Sequence, residues 1–253
     1  MKLKHLPSTI VTHANQLFNW LLPQSCFLCG GLGNKALCPA CLADLPYQQN
    51  ACNRCALPLE DEEHCPNCQK YPVVFDRAKT VFVYEYPLNK MIQAAKYNQD
   101  LTILKILGHQ MAQHLVIDKL PDVLIPVPLH PKGLRNRGYN QALELTKIIA
   151  KYHNISYNYT ACQCIKRKRK QSTLSAIERR ENVKGIFQIK QIKPYWQHVV
   201  LIDDVMTTGA TVNELATIFL QAGVQRVEVW CCARSELTRK KPESTLSQIN
   251  SGT

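Results

Sequence analysis

A chain of 253 residues with 45% hydrophobic content, 10 glycines and 14 prolines is long enough for one sizeable core plus a small satellite, and its composition excludes a disordered or fibrous protein. The formal charge of +12 creates a surface field that attracts polyanions, so nucleic acid, nucleotides and phosphorylated metabolites are candidate partners, although a merely basic surface explains the charge equally well. No apolar run approaches the length of a membrane span and no export signal is legible; the reading is a cytoplasmic protein, in which twelve cysteines point to metal ligation before disulfides.

The first predicted element lies in residues 1–22. Ile10, Ala14, Leu17 and Leu21 recur at helical spacing and predict an amphipathic N-terminal helix. Residues 23–70 follow as a cysteine-rich unit. Cys26 and Cys29, Cys38 and Cys41, Cys52 and Cys55, and Cys65 and Cys68 form four CxxC knuckles. Each such turn sets two thiolates on one side of a tight loop, and two turns complete a tetrahedral all-thiolate shell around Zn2+. Eight ligands make two closed sites with no open position for water, which is a structural role. Neighbouring knuckles pair more readily than interleaved ones; His64, next to Cys65, is a substitute donor at most, a solvent-facing His being the commoner outcome. The segment is too short to bury its own core, so metal ligation supplies much of its folding free energy. The alternative, a redox dithiol, normally occurs once beside a βαβ pattern and not four times in tandem.

From residue 71 the pattern changes. Val73 to Tyr86 predicts a strand pair around Asp76 and Arg77, followed by helices over 88–97 and 101–116. Val123 to Pro128 predicts a short buried strand, Asn140 to Tyr152 an amphipathic helix, Val199 to Asp203 a strand closed by acid, Ala210 to Gln221 a helix, and Val227 to Trp230 another strand. Strands alternating with helices imply an α/β fold with a doubly wound parallel sheet over 71–235. Residues 236–253 are polar and are read as a frayed tail. Cys162, Cys164, Cys231 and Cys232 fall at or near predicted strands and are expected to be small buried hydrophobes.

Val199 to Thr211 carries the most chemistry. An apolar strand delivers Asp203 and Asp204 to its carboxyl end, and a loop of small and hydroxyl residues then enters a helix. Loop amides and the positive end of the helix dipole converge there, which suits a phosphate monoester. Thr207, Thr208 and Thr211 add hydroxyl donors, and Gly209 admits close backbone approach. The two carboxylates would repel the phosphate and are better used on ribose hydroxyls, and through them on hydrated Mg2+. An ordinary strand end with a capping threonine is the plain alternative for any one of these elements.

The ordered combination resembles the PRPP signature of type I phosphoribosyltransferases. That resemblance implies a type I phosphoribosyltransferase-like sheet, with Asp203 and Asp204 on the ribose 2- and 3-hydroxyls and Val205, Met206, Thr207, Thr208, Gly209, Ala210 and Thr211 cradling the 5-phosphate. PRPP also needs a pyrophosphate cradle. Pro126 to Gln141 follows a strand end on the same side of the sheet; Arg135 and Arg137 can fork onto phosphate oxygens, and Lys132 adds a point charge. In a transfer reaction Arg135 and Arg137 would meet charge on the leaving pyrophosphate, and with Asp203 and Asp204 they are the candidate catalytic residues. The basic run Lys166, Arg167, Lys168, Arg169 and Lys170, continued by Arg179 and Arg180, reads as a lid, a nucleic-acid groove or a solvated charge run. Lys96 and Tyr97, ending a helix, are lesser candidates for the same cleft.

CxxC knuckles ahead of such a domain, with LHPKGLRNRGYNQA and KRKRKQSTLSAIERRENVKGIF between strands, resemble the ComF/GntX family of competence-associated proteins from about Cys26 to Arg234. The resemblance implies a double zinc ribbon at 23–70, a cytoplasmic bacterial protein that is peripheral to the inner membrane through its DNA-uptake partners, and a part in helping incoming single-stranded DNA across the inner membrane or into recombination during natural transformation. Three functions stay open. One is DNA handling with PRPP or a related nucleotide as ligand; the second is transfer of the ribose phosphate from Mg2+-PRPP to an unidentified base; the third is a ligand-binding regulator. Tyr139 and Phe187 are the rings nearest the basic run, and the run itself has none, so DNA binding through it would be mostly electrostatic.

Overall fold

The computed structural model describes residues 24–59, 65–97, 100–166 and 183–235. The predicted N-terminal helix, His64, Arg167 to Lys170, Arg179, Arg180 and the polar tail lie outside the described residues.

Four parallel strands form the central sheet: β3 (Arg77–Val83), β8 (Arg226–Arg234), β7 (His198–Met206) and β4 (Val123–Pro126), in that spatial order. The period of two along β7 divides the core. Val200 and Ile202 face helices α3 (Leu88–Tyr97), α4 (Leu101–His114) and α6 (Gln141–His153), whereas Val199 and Leu201 face α7 (Ala210–Gln221). These four β7 side chains are 0% exposed, and each such burial is worth about 1.5–3 kcal/mol. Helices on both faces of a parallel sheet make the doubly wound fold that the alternation predicted. A two-stranded antiparallel pair, β5 (Cys162–Cys164) with β6 (Phe187–Ile189), flanks the basic run. Among the described residues no helix is long and apolar enough to cross a membrane.

Three boundaries differ from the sequence reading. The expected strand pair at 73–86 is one strand, because Asp76 binds β8 instead: its N–H donates to Val227 O at 2.9 Å and its carboxylate accepts from Val227 N at 2.9 Å. Strand β7 does not stop at the acids but continues to Met206, held by pairing with β8 through Arg234. Residues 131–137, to which the sequence reading assigns no element, form helix α5 (Pro131–Arg137), with Pro131 in the first turn and Gly138 closing it at φ 78°.

The cysteine segment packs onto the outer strand β3 from both faces. It consists of β1 (Gln24–Ser25), β2 (Leu32–Gly33), α1 (Pro39–Ala43) and α2 (Pro66–Lys70). Cys26 and Leu37 join the core on the α3–α4–α6 face, while Cys52, Cys55, Leu57 and Cys65 join the core on the α7 face. The strip between them runs along β3: Gln48 N donates to Val81 O and Val83 N donates to Pro46 O, each at 2.9 Å.

A buried acid anchors the amino end of β8. Glu228 is 2% exposed, with Arg226 Nη2 at 2.5 Å, Trp230 Nε1 at 3.2 Å, Arg77 Nε at 3.2 Å and His198 Nε2 at 3.4 Å from its carboxylate. Burial alone would push its carboxyl up. Hydrogen bonds from His198 and Trp230 and the charge of Arg77 outweigh burial and hold it at about 2.

Candidate functional site

The carboxyl ends of β4 and β7 open into a cleft of about 820 Å³, at the place where parallel α/β sheets bind ligands. Its floor is the β7–α7 junction. Asp203 and Asp204 are half-buried near the end of strand β7, Thr207 to Gly209 form the loop, and α7 begins at Ala210. Gly209 sits at φ 75° as the helix cap, a left-handed conformation that disfavours any side chain. The Thr208 hydroxyl accepts from Ala210 N at 3.3 Å, which satisfies one of the first-turn donors. All seven residues from Val205 to Thr211 line the cleft.

Lys96 enters from the end of α3. Its Nζ lies 2.6 Å from Asp204 Oδ2. Burial pulls the ammonium down, but the carboxylates of Asp204 and Asp203 outweigh it and hold the lysine above its ordinary value. The floor therefore carries two carboxylates offset by one cation, which lowers the repulsion an incoming anion meets. The geometry thus brings Lys96, a lesser candidate from the sequence, into the cleft against Asp204.

The predicted pyrophosphate segment divides in two. Arg137 lines the cleft and is fixed by a hydrogen bond from Nη1 to Gln141 Oε1 at 3.2 Å. Arg135 and Lys132 are exposed on α5 and do not line it, because a helix disperses residues that a loop would have let converge. His130 and Asn140, which the sequence did not single out, line the cleft as the caps of α5 and α6. Tyr84 and Tyr97 line it as well, and Tyr97 is 73% exposed. Tyr139, by contrast, is half-buried and donates its hydroxyl to Ala95 O, and Phe187 is buried. Of that run, Lys166 is described and exposed. The four remaining cysteines, 162, 164, 231 and 232, are buried as expected, and burial pushes Cys162 up to about 12, consistent with an unreactive thiol.

The eight knuckle cysteines gather as two sets, Cys26, Cys29, Cys38 and Cys41, and Cys52, Cys55, Cys65 and Cys68, with the ligand sulfurs of each set within 4.8 Å of one another. Neighbouring knuckles pair. A tetrahedral zinc shell with bonds of about 2.3 Å has sulfur–sulfur edges of about 3.8 Å; Cys29–Cys38, Cys52–Cys68 and Cys55–Cys65 stand at 3.9, 3.8 and 3.7 Å. Backbone amides point at the sulfurs, including Cys38 N to Cys26 Sγ and Arg54 N to Cys52 Sγ at 3.4 Å each, as thiolate ligands require. The residues fit two structural zinc ions.

Residues 17–69 match the double zinc ribbon domain family. Competence protein F of Haemophilus influenzae is 32% identical over 226 residues, a match that covers 83% of this chain and 96% of that protein. The chain belongs to the ComF/GntX family. Other relatives agree with this placement: DNA utilization protein YhgH of Escherichia coli O157:H7 is 30% identical, with 85% of this chain and 98% of that one covered, and Competence protein ComFC of Streptococcus pneumoniae is 25% identical, with 83% and 99% covered. Among solved structures, the glutamine PRPP amidotransferase from B. subtilis complexed with ADP and GMP overlays at a TM-score of 0.34 with 20% identity, over 51% of this chain and 25% of that one.

Proposed function

We propose that the cleft binds PRPP with Mg2+, and that this family member is a cytoplasmic protein, peripheral at the inner membrane, which helps handle incoming single-stranded DNA during natural transformation. One observation carries the ligand: paired carboxylates, a threonine-lined helix start and Arg137 converge on a single cleft at the sheet's carboxyl end. Asp203 and Asp204 would hold the ribose hydroxyls, and through them the hydrated Mg2+ that offsets the charge of the pyrophosphate. Thr207, Thr208, Gly209 and the first turn of α7 would hold the 5-phosphate. Arg137 faces the pyrophosphate, and Lys132 and Arg135 stand outside it as a basic approach. The names of the relatives support the DNA role, and the +12 charge suits a polyanion.

Calorimetry of the full chain with PRPP and Mg2+ tests the ligand. The wild type is expected to bind, and Asp203→Asn with Asp204→Asn is expected to weaken binding by at least about tenfold. Equal heats from both proteins would overturn the reading. The same double variant, compared with wild type for single-stranded oligonucleotide affinity and for transformation frequency, separates the nucleotide site from DNA binding.

Tyr97, exposed at the cleft rim, favours a second reading, phosphoribosyl transfer to a base stacked on its ring. A base nitrogen would bond to ribose C1 as the C1–O bond breaks and pyrophosphate leaves with the electron pair. Pyrophosphate release from PRPP on addition of a panel of bases tests it, and no release with any base would leave binding as the function.

A further inference from the structure

The last residue of β8 is an arginine with 0% exposure. Arg234 Nε donates to Cys55 O at 3.0 Å, and its Nη1 donates to Met206 O at 2.9 Å, to Ser235 O at 3.0 Å and to Thr207 O. One rigid, planar guanidinium thus holds the backbone of a zinc ligand with one nitrogen and the backbone that opens the phosphate loop with another. The peptide units are trans and planar, so drawing the carbonyls of Met206 and Thr207 toward Arg234 turns the N–H groups of Thr207 and Thr208 the opposite way. Amide direction is what an anion site of this kind depends on.

Charge makes the same connection. A fully buried guanidinium costs several kcal/mol unless it is compensated, and among the described residues no carboxylate forms an ion pair with Arg234. A zinc ion inside four thiolates leaves a net negative cluster, and the cluster that contains Cys55 is the one Arg234 touches. Among the described residues no arginine joins the first cysteine set to the phosphate loop in this way, and that set joins the core on the opposite face of the sheet.

We propose that Arg234 is a positioning residue through which zinc in the second site, held by Cys52, Cys55, Cys65 and Cys68, sets the conformation of the Thr207–Gly209 loop and hence its affinity for a phosphoester, while zinc in the first site does not. The proposal rests on the reading of the cleft as a PRPP site only for its affinity arm. Its structural arm, the order of the loop, stands separately.

Two measurements on the full chain test it. Hydrogen exchange of a peptide spanning residues 207–211 is followed while chelator empties the two sites in turn, and PRPP binding with Mg2+ is measured for Arg234→Lys, Cys68→Ser and Cys29→Ser. Loop exchange is expected to accelerate as the second site empties and to ignore the first. Arg234→Lys, which keeps the charge but loses the fork, and Cys68→Ser should each weaken PRPP by about tenfold or more, with Cys29→Ser within about twofold of wild type. Loop exchange that follows the first site, or stays constant as the second empties, would refute the coupling, as would a folded Arg234→Lys with unchanged affinity. If Arg234→Lys does not fold, the chelator series on the wild type decides. If the wild type does not bind PRPP at all, the cleft reading fails, and exchange alone judges the link.

Discussion

The two zinc ribbons are local copies with different surroundings. In the first, Gly30 N donates to Cys26 O and Cys26 N to Gly31 O; in the second, Ala56 N donates to Cys52 O and Cys52 N to Leu57 O, all at 2.8–2.9 Å. Each continues into a short helix that starts with proline, Pro39 or Pro66. Yet in the first only Cys26 is buried, with Cys38 and Cys41 half-buried and Cys29 exposed, whereas in the second Cys52, Cys55 and Cys65 are buried and only Cys68 is partly open. The same ligand geometry therefore sits at the edge of the core on one face of the sheet and largely inside it on the other. A metal site is as important to a fold as the packing it completes.

The sharpest way to break this contrast is to remove one ligand from each ribbon. Cys55→Ser is expected to lower stability by more than about 3 kcal/mol, since it opens a buried site inside the α7-face core, and Cys29→Ser by clearly less. Urea denaturation in the presence of zinc measures both, and equal losses would erase the distinction. Chelator should likewise release zinc in two phases, the exposed first ribbon before the second, as read by a colorimetric zinc indicator.

Acid should separate ribbons from sheet. Protonation of thiolates empties both zinc sites first. The sheet then loses the contribution of Glu228, whose folded carboxyl, at about 2, lies below its ordinary 4.5. A depressed carboxyl stabilises above the ordinary value, and that contribution, at most about 3 kcal/mol, drains away as pH falls from 4.5 toward 2. Zinc release preceding loss of near-ultraviolet circular dichroism is the expected order, and a single coincident step would contradict it.

The smallest effect tests the copies themselves. Gly30 and Ala56 occupy equivalent turns at φ 72° and 52°. Gly30→Ala has open space but the wrong backbone region and is expected to cost about 1 kcal/mol. Ala56→Gly relieves a similar strain while losing a buried methyl, so its net change should stay within about 1 kcal/mol. Thermal melts at saturating zinc compare the pair.

Much of this arrangement was legible in the residues. The CxxC spacing gave the metal ligands because four thiolates at fixed intervals have few other uses, and the apolar periods gave the sheet and most helices. Helix α5 was missed although Pro131 and Gly138 bracket it, since its middle has no apolar stripe to register a period. Asp76 reads as the junction of a strand pair because its role, binding the amide of Val227, depends on a distant segment. Lys96 against Asp204 and Arg234 against Cys55 and Thr207 are contacts between remote parts of the chain, and a single sequence does not encode such pairs in any local pattern. The site's acids and threonines were readable because they are contiguous; its cations Arg137 and Lys96 were readable as candidates, but not their convergence on the acids, because each arrives from another element.

The strip from Pro46 to Gln48 runs along β3, and on the far side Leu124 of β4 exchanges hydrogen bonds with Ser156 and Asn158, at 2.9 and 3.0 Å. Both margins of the sheet are thereby closed to other chains. One of those covers is held by the ribbons on either side of it, so a cell starved of zinc would uncover a raw row of amides and carbonyls ready to recruit a second copy, and newly made protein would be lost to self-association before any question of ligand binding arose.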